Sequence, residues 1–466
     1  MVAVRRVGSF VASGMLVALG ACGTSSQATP TADAAVLDGG SPKKDGGFLD
    51  LDAGARADTG VVLDDAGWAT LDGFACAVKY AATAAALPPP IHWVDCPASF
   101  SLPGACKRIA LDFPDLRNGI AIQRGGAFAG ASGVEFTFRI FHPSSLEWWG
   151  VDGNNQVRVA LRSANLACTP GGDFGPAEGR YALGDYVNGR NAAVVAGSFS
   201  GQPSIFRSYQ GNSSWYALTS GIVERNTGLA LHPWDRSAPT VLSPPGTDAS
   251  RDLGQLQEVA AVGALPARIY ASSGYPFHVY EYASGTPRKI VTGGRDAINE
   301  VGSFAVSRDR IFWTNVEAIP NSNFRQETAL YTQELDGAGA LKGTRKRLPS
   351  PSPIGYSQSA RLGCDILARG YLDPLSPTGV ATGGGLEVFD FRTMRHWRIA
   401  LPGNTANLED AFGIQTIEAV SCTEVIAGIG HIDTSVSNAA QQNFARFDLS
   451  KLGPGEAFAM TPDPVP

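Results

Sequence analysis

Phe304–Asn315, which reads Phe-Ala-Val-Ser-Arg-Asp-Arg-Ile-Phe-Trp-Thr-Asn, and Leu330–Gly337, which reads Leu-Tyr-Thr-Gln-Glu-Leu-Asp-Gly, are the stretches that decide the fold. The first contains two runs rich in aromatic and β-branched residues on either side of the polar turn Ser307-Arg308-Asp309, a pattern typical of two strands. The second alternates apolar and polar residues and ends at Asp336-Gly337, a pair that favours a tight turn. These stretches predict three short β-strands joined by turns.

A similar pattern recurs along the chain after Ile91, where short apolar runs are punctuated by Gly, Pro, Asn and Asp. Six aromatic positions share the same local context, and they are Trp149, Phe206, Tyr280, Tyr331, Phe389 and Phe447. Their separations are 57, 74, 51, 58 and 58 residues. A four-stranded propeller blade needs about 40–50 residues, and decorated loops lengthen it. The spacing therefore predicts an all-β protein built from repeated sheets, and a pair of large β-sandwiches is the alternative architecture.

Within this pattern, Phe312-Trp313-Thr314-Asn315 resembles the Tyr-Trp-Thr-Asp signature of YWTD-type β-propellers, and Leu335-Asp336-Gly337 matches the Leu-Asp-Gly that often closes such a blade. The six aromatic positions predict six blades. The 74-residue interval, which contains the Pro-rich segment Ala238–Gly246, leaves room for a seventh blade or a long insertion. If an N-terminal strand closes the ring, Ile91–Asp95 or Ile109–Phe113 should pair beside Phe444–Leu449.

The first 22 residues have the features of a targeting segment. Arg5 and Arg6 precede the apolar run Val7–Ala21, which is too short to span a bilayer comfortably. The run ends in Leu19-Gly20-Ala21-Cys22, which resembles the lipobox of bacterial lipoproteins. The resemblance implies acylation of Cys22 and a lipid anchor in the cell envelope. Gly23 rather than Asp follows Cys22, which by the same resemblance favours the outer membrane in a host that has one. An ordinary signal peptide is the alternative.

Residues 23–72 are dominated by Asp, Ala, Gly, Thr and Ser, with nine acidic residues against three basic ones. Such a segment has too little apolar surface to offset the loss of chain entropy, so a disordered tether is predicted. The remaining residues, 73–466, carry a net charge of −2 and are predicted to form the propeller domain with an N-terminal extension. This near-neutral charge argues against nucleic acid as a partner, since nucleic-acid binding needs a clustered basic face. The one tight basic run, Thr344-Arg345-Lys346-Arg347, is interpreted as a solvated strand end.

The Ala-rich segment Phe74–Leu87 predicts a short helix that stops at Pro88-Pro89-Pro90. It is the one helical expectation in the body of the chain. No long apolar periodicity of 3.6 residues occurs elsewhere.

Six cysteines remain once Cys22 is set aside, and an even number in an exported protein indicates disulfide bonds. Six cysteines allow 15 pairings, so the sequence does not choose among them. Cys96 and Cys106 are close enough in the chain for a local bridge. Cys364 and Cys422 each lie 25 residues before an aromatic position of the repeat, hence at equivalent turns of adjacent blades. Cys76 and Cys168 would then form the third pair. Metal binding is the competing interpretation, but no CxxC or HxxxH spacing supports it.

No stretch of the sequence carries a convincing catalytic, metal or cofactor site. His431-Ile432-Asp433 places an imidazole and a carboxylate on one face of a strand, but a surface or channel-lining hydrogen bond is favoured over half of a functional site. Gly197-Ser198-Phe199-Ser200-Gly201 lacks the strand-to-helix context of a nucleophile elbow. Trp148-Trp149 and Tyr280–Tyr282 have the surface needed to stack on sugars or peptides, but aromatic residues in blades more often pack between blades.

Two classes of function follow from these observations. The favoured one is a lipid-anchored binding or assembly module for a peptide, glycan or protein partner, with no cofactor. The alternative is a propeller-type enzyme, such as a lactonase-like hydrolase or a quinoprotein-like dehydrogenase, whose carboxylate and His ligands would converge on the central axis around a metal ion. Fold alone does not decide between them.

Overall fold

The computed structural model describes residues 62–71, 78–110, 121–130, 133–142, 144–163, 168–187, 190–208, 214–250, 253–262, 265–274, 277–282, 286–292, 300–318, 325–349, 359–372, 384–401, 412–431 and 442–463. They belong to one compact unit, Gly60–Pro466. None of the helices in these segments is long and apolar enough to cross a lipid bilayer.

Four strands precede the first blade: β1 (Trp68–Thr70), β2 (Val78–Ala81), β3 (His92–Asp95) and β4 (Cys106–Ala110). The helix predicted for Phe74–Leu87 is wrong over its described part, because β2 and a single 3₁₀ turn at Ala84–Ala86 occupy that part. Tyr80 in β2 pairs opposite Leu161 of the first blade. The hydrogen bonds and burial gained at a sheet edge therefore override the helical propensity of the alanines.

Seven antiparallel sheets follow in chain order. Blade 1 contains β5 (Ala121–Gly130), β6 (Gly133–Phe141), β7 (Leu146–Val151) and β8 (Val157–Ser163). Blade 2 contains β9 (Cys168–Ala177), β10 (Arg180–Val187), β11 (Arg190–Ser198) and β12 (Ser204–Ser208). Blade 3 contains β13 (Ser214–Ala217), β14 (Gly221–Arg225), β15 (Leu229–Pro233) and β16 (Thr240–Ser243). Blade 4 contains β17 (Leu256–Val259), β18 (Arg268–Ser273), β19 (His278–Tyr282) and β20 (Pro287–Val291).

The last three blades complete the ring. Blade 5 contains β21 (Glu300–Val306), β22 (Arg310–Ala318), β23 (Arg325–Leu335) and β24 (Leu341–Arg347). Blade 6 contains β25 (Ala360–Gly363), β26 (Ile366–Leu372), β27 (Gly384–Asp390) and β28 (Arg395–Ala400). Blade 7 takes β29 (Phe412–Val420), β30 (Glu424–His431) and β31 (Gln442–Asp448) from the C-terminal part of the chain and β4 and β3 from the N-terminal part. The fold is a seven-bladed β-propeller.

An N-terminal strand closes the ring, as expected if the last blade is to be held against the first. Cys106, Lys107 and Arg108 of β4 pair with Phe447, Arg446 and Ala445 of β31. In the sequence, these three residues of β4 lie between Ile91–Asp95 and Ile109–Phe113, the two segments considered for closing the ring. β3 pairs with the outer edge of β4 and not with β31. Because blade 7 is assembled from both ends of the chain, its hydrogen bonds hold the circle together.

The blade missing from the six-blade prediction is blade 3, which fills the interval between Phe206 and Tyr280. Five of the six aromatic positions lie on the third strand of a blade, but Phe206 lies on β12, the fourth strand of blade 2. The strands of blade 3 are only four or five residues long. The third strand, Leu229–Pro233, contains no Phe, Tyr or Trp. Counting aromatic positions in the sequence therefore did not detect blade 3.

The stretch that predicts the fold forms the hairpin it indicated. Ser307 N–H donates to the Arg310 carbonyl at 2.8 Å and closes the turn between β21 and β22. Phe312 is fully buried against blade 6, whereas Trp313 packs against blade 4 and lies 5.5 Å from the Tyr331 ring. Adjacent residues of one strand thus fill the two interfaces on either side of blade 5, because side chains alternate across a sheet. The core of the protein is the set of such inter-blade layers.

Extra strands cover the outer edges of several blades. β2 and β1 extend blade 1, while the tail of the chain adds β32 (Glu456–Ala457) to blade 6 and β33 (Thr461–Pro462) to blade 5. Arg345, from the basic run, forms an ion pair with Asp463 of this tail at 3.3 Å. The predicted solvated strand end is therefore only partly exposed: Arg345 and Lys346 are half-buried, and Lys346 and Arg347 pair with β33. Covering an edge removes a template for unwanted strand pairing.

Residues 62–71, which fall within the predicted tether, form part of the folded body. Trp68 and Leu71 are buried, and β1 pairs with β2. Asp64 accepts hydrogen bonds from the Trp68 N–H and from Lys79 and Arg162. The hydrogen bonds from Trp68 and Lys79 are the main causes that lower the pKa of Asp64 to about 2. The boundary between tether and body therefore lies before residue 62 rather than at residue 72. The remainder of the predicted tether, with Cys22, lies outside the described residues.

Two disulfide bonds link cysteines that the sequence analysis had singled out as candidate pairs. Cys96–Cys106 closes the loop between β3 and β4, and Cys364–Cys422 joins the first turns of blades 6 and 7. Cys76 lies outside the described residues, so its pairing with Cys168 stays a prediction.

Candidate functional site

The innermost strands of the blades are where a propeller-type enzyme would gather its ligands. On β17, the Gln257 amide donates to the Phe304 carbonyl at 2.8 Å and to the Ala360 carbonyl at 3.1 Å, and its oxygen accepts from Val306 N–H. The Gln257 side chain of blade 4 therefore forms hydrogen bonds with the inner strands of blades 5 and 6. These contacts satisfy buried backbone groups and brace the ring.

Charged groups also lie on the inner strands. Burial lowers the pKa of the Arg361 guanidinium on β25, and the carboxylate of Glu418 on β29 acts in the opposite direction. Glu258 on β17 accepts from the Ser220 N–H of the neighbouring blade. Across the described part of the chain, no three His, Cys, Asp or Glu side chains are grouped so that they could hold a metal ion.

A cleft of about 520 Å³ lies on the outer rim beside β28 of blade 6. Its lining comes from three separate parts of the chain: Phe100–Leu102, His396–Ala400, and Leu452 with Gly455 and Glu456. The first part belongs to blade 7, the second is the outer strand of blade 6, and the third is the C-terminal tail. The cleft therefore exists only once both ends of the chain have docked.

Local features of the sequence hold each wall of the cleft. Cys96–Cys106 brackets Phe100–Leu102, and Phe100 is anchored in the core between blades 6 and 7. Asp448 accepts from Ser450 N–H at 3.1 Å and caps the short turn that starts the tail. The indole N–H of Trp397 then donates to the Gly453 carbonyl at 3.1 Å, and His396 pairs opposite Glu456. These contacts fix the tail against the rim of blade 6.

A buried ionic group lies on the other face of blade 6, the face toward blade 5, because side chains alternate along a strand and Leu386 and Val388 beside Glu387 face blade 7. Glu387 on β27 is 1% exposed, and its carboxylate accepts from Arg369 Nε at 2.6 Å and lies 3.1 Å from His396 Nε2. Burial by itself would raise the pKa of Glu387, but the Arg369 charge and the hydrogen bonds from His396 and Arg369 outweigh it and lower the pKa. Glu387 is therefore an ionised group in the interior of the blade.

The His396 ring is held on two sides. It stacks on Phe389 with ring centroids 4.3 Å apart, and Glu387 takes up its Nε2 atom. Phe389 belongs to the core between blades 5 and 6, so the His396 ring lies on that side of the blade. The cleft is on the other side, where Leu102 and Leu452 supply apolar surface.

Aromatic and basic side chains alternate along β28. Trp397 packs partly against the core between blades 6 and 7, on the side of the cleft. The Arg398 guanidinium lies 4.2 Å from the centre of the Tyr371 ring, a cation–π contact on the other face of the blade. The side chain that β28 presents to the cleft is therefore the Trp397 indole.

The aromatic residues considered from the sequence lie in the core. Trp148 is fully buried between blades 1 and 2, and Trp149 packs on the other side of blade 1. Tyr280 and Tyr282 are buried in the layer between blades 3 and 4. Packing between blades, the favoured interpretation, is confirmed for these residues.

The Gly197–Gly201 segment forms the turn that connects β11 and β12. There Gly201 N–H donates to the Ser198 carbonyl at 3.1 Å. The side chain of His431 and residues 432–433 lie outside the described set.

Sequence reasoning did not find the His396–Glu387–Arg369 group. The three residues lie on successive strands of blade 6, and pairing Phe389 opposite His396 is what brings Glu387 within reach of the imidazole. The sequence pattern that could have indicated the Glu387–His396 part of the group is Glu-x-Phe at 387–389 in one strand, followed by His-x-Arg at 396–398 in the next. That signal becomes useful only when the register of the hairpin is known.

The seven-sheet ring with its rim cleft defines the protein as a seven-bladed β-propeller with a candidate ligand site on blade 6. Comparison of the sequence finds no matching protein-family model and no matching curated protein.

Solved propeller structures do resemble it. A chain from a study of two prolyl endopeptidases is 14% identical, with a TM-score of 0.45 over 74% of this chain and 50% of that one. This chain therefore spans half the length of that prolyl endopeptidase chain. The β-propeller domain of the Trilobed protease from Pyrococcus furiosus, reported to have an open velcro topology, is 8% identical, with a TM-score of 0.38 over 72% and 97%. TolB from Acinetobacter baumannii is 12% identical, with a TM-score of 0.29 over 74% and 83%. At these identities the likeness concerns the fold and not the function.

Proposed function

We propose that this protein is a lipid-anchored binding module of the cell envelope, and that its ligand occupies the rim cleft of blade 6. The observation that supports the site is the cleft of about 520 Å³, whose apolar wall comes from Leu102, Trp397 and Leu452. Concave sites with a few fixed polar groups among apolar ones are the usual form of ligand sites. The lipobox-like segment Leu19–Cys22 supports attachment to a membrane and thus the location in the envelope.

The ligand class follows from the lining. Leu102, Trp397 and Leu452 would contact an apolar group, and the hydroxyl of the exposed Ser101 would exchange a hydrogen bond with a neighbouring amide or hydroxyl. A segment of peptide or protein meets both requirements, and a glycan meets the second through its hydroxyl groups. The partner is therefore proposed to be a protein or peptide segment, with a glycan as the other ligand type to be tested.

Site-specific photo-crosslinking in the native host tests this proposal. A photoreactive residue at Ala400, which is exposed in the cleft, should give one discrete adduct, whereas the same residue at the exposed Val241 on the rim of blade 3 should not. Leu102→Glu should abolish the adduct because it places a charge on the apolar wall. Leu265→Glu, at a 40% exposed position on blade 4, is the matched control and should leave the adduct intact. Equal labelling at Ala400 and Val241, or no effect of Leu102→Glu, would contradict the cleft as the binding site.

A further inference from the structure

The two described disulfide bonds differ in their surroundings. Cys106 is fully buried within β4 and Cys96 is partly buried, so the Cys96–Cys106 bond is shielded by blade 7. Cys364 and Cys422 are both exposed. Exposed disulfides are the ones that thiols reach and that tend to be labile, whereas buried structural bonds resist reduction.

The turns that carry the exposed bond keep its sulfur atoms at the surface. Cys364 and Asp365 form the two-residue turn between β25 and β26 and have φ angles of 52° and 54°. Positive φ at both central residues is the backbone of a type I′ hairpin turn, which points their side chains away from the sheet. Cys422 lies in the corresponding turn of blade 7, where Ser421 N–H donates to the Glu424 carbonyl at 2.9 Å.

A guanidinium group contacts one of the two sulfur atoms. Arg392 Nη1 lies 3.3 Å from Cys364 Sγ, and Nη2 lies 3.4 Å from the Cys422 carbonyl oxygen. Asp390, which is 5% exposed, holds the same guanidinium through two further hydrogen bonds of 2.9 Å. The Asp365 carboxylate is also close enough to favour the charged form of Arg392. The cation is thus fixed beside Cys364 rather than free to leave it.

We propose that Cys364–Cys422 is a site of thiol–disulfide exchange that reacts with small thiols and dithiols. A thiolate attacks Cys422 Sγ and forms a new S–S bond, while the Cys364–Cys422 bond breaks. The electron pair of the broken bond leaves on Cys364 Sγ, where the Arg392 guanidinium stabilises the thiolate. With a dithiol, the second thiolate of the reagent attacks the first sulfur atom of the same reagent molecule, which is bonded to Cys422 Sγ in the mixed disulfide. This releases Cys422 and leaves the reagent as a disulfide, a two-electron transfer in total.

The direction of attack follows from the position of Arg392. The better leaving group is the sulfur whose thiolate is stabilised, and a lower thiol pKa speeds departure. Cys364 is the sulfur in contact with the cation, so the mixed disulfide should form on Cys422. The bond joins blade 6 to blade 7, the blade that closes the ring, so its reduction would remove the covalent link at that interface.

The test uses the full oxidised chain, treated under native conditions with reduced glutathione and quenched with an alkylating reagent at a series of times. Peptide mass mapping then gives the reduction rate of each bond and the position of the glutathione adduct. Cys364–Cys422 should be reduced at least about tenfold faster than Cys96–Cys106, and the adduct should be on Cys422 with Cys364 alkylated. Equal rates for the two bonds, or an adduct on Cys364, overturns the proposal.

A pair of arginine variants tests the guanidinium separately. Arg392→Met should slow the reduction of Cys364–Cys422 by about threefold, the scale of one exposed charge interaction, and leave Cys96–Cys106 unchanged. Arg395→Met, at an exposed arginine of the neighbouring strand, should change neither rate. Faster reduction of Cys96–Cys106 in Arg392→Met would show that the substitution unfolds the protein. The proposal is then decided by the unaltered protein, in which a glutathione adduct on Cys422 supports it and one on Cys364 overturns it. Equal slowing in both variants overturns the role assigned to Arg392.

Discussion

Replacing Glu387 with Gln tests the buried ionic group of blade 6. Glu387 is 1% exposed, and its carboxylate is shared by Arg369 at 2.6 Å and His396 at 3.1 Å. The amide keeps the shape of the side chain but removes the charge that compensates the buried Arg369 guanidinium. Removing one partner of a buried ion pair costs about 3–5 kcal/mol. For a body of this size, that corresponds to a fall in Tm of about 4–6 °C.

The dependence on pH distinguishes an electrostatic loss from a packing defect. The pKa of Glu387 in the folded state is below its ordinary value, and an unfolded Glu titrates near about 4.3. The stabilisation by the carboxylate is therefore present above about pH 4.3 and is lost as the pH falls through the folded-state pKa. The difference in unfolding free energy between the unaltered protein and Glu387→Gln should narrow in that acidic range.

Chemical denaturation between pH 3 and pH 8 is the assay, with Glu456→Gln as the control. Glu456 lies at the edge of the same cleft but is exposed, so its replacement should change stability by less than about 0.5 kcal/mol. The reasoning is refuted if Glu387→Gln is as stable as the control at pH 7, or if its deficit stays constant down to pH 3.

Three other predictions follow from particular contacts. Deleting residues 1–61 should leave Tm unchanged. Deleting residues 1–71 should lower Tm by several degrees, because Trp68 and Leu71 are buried. Thermal unfolding of the two truncated proteins measures the difference. Burial raises the pKa of Glu135 in the folded protein, so the folded protein loses stability as the pH rises through that pKa. The Glu135→Gln side chain still accepts a hydrogen bond from Gly179 N–H but does not ionise. In denaturant titrations, this variant should therefore lose less stability between pH 4 and pH 8 than the unaltered protein. Cys22→Ser should remove the protein from the membrane fraction or stall its processing, and an unchanged membrane-bound mature form on fractionation would reject the lipid anchor.

Local pattern was sufficient for much of the fold. The hairpin at Phe304–Asn315 and the third strands of five blades could be predicted because alternation and turn residues act between neighbours in the chain. Where a signal was weak, as in the short strands of blade 3, the same reasoning miscounted the blades. The positions of Cys364 and Cys422 in equivalent turns were also readable, because the repeat relates them.

Tertiary structure decided the features that depend on distant parts of the chain. The alanines of 78–87 take their conformation from the edge of blade 1, since Tyr80 pairs with Leu161 rather than forming helical hydrogen bonds. Blade 7 and the cleft need both ends of the chain, and the His396–Glu387–Arg369 group needs the register of three strands. Local periodicity specifies which face of a strand is buried, but not which strand lies beside it, because that choice is made by burial and hydrogen bonding between segments far apart in sequence.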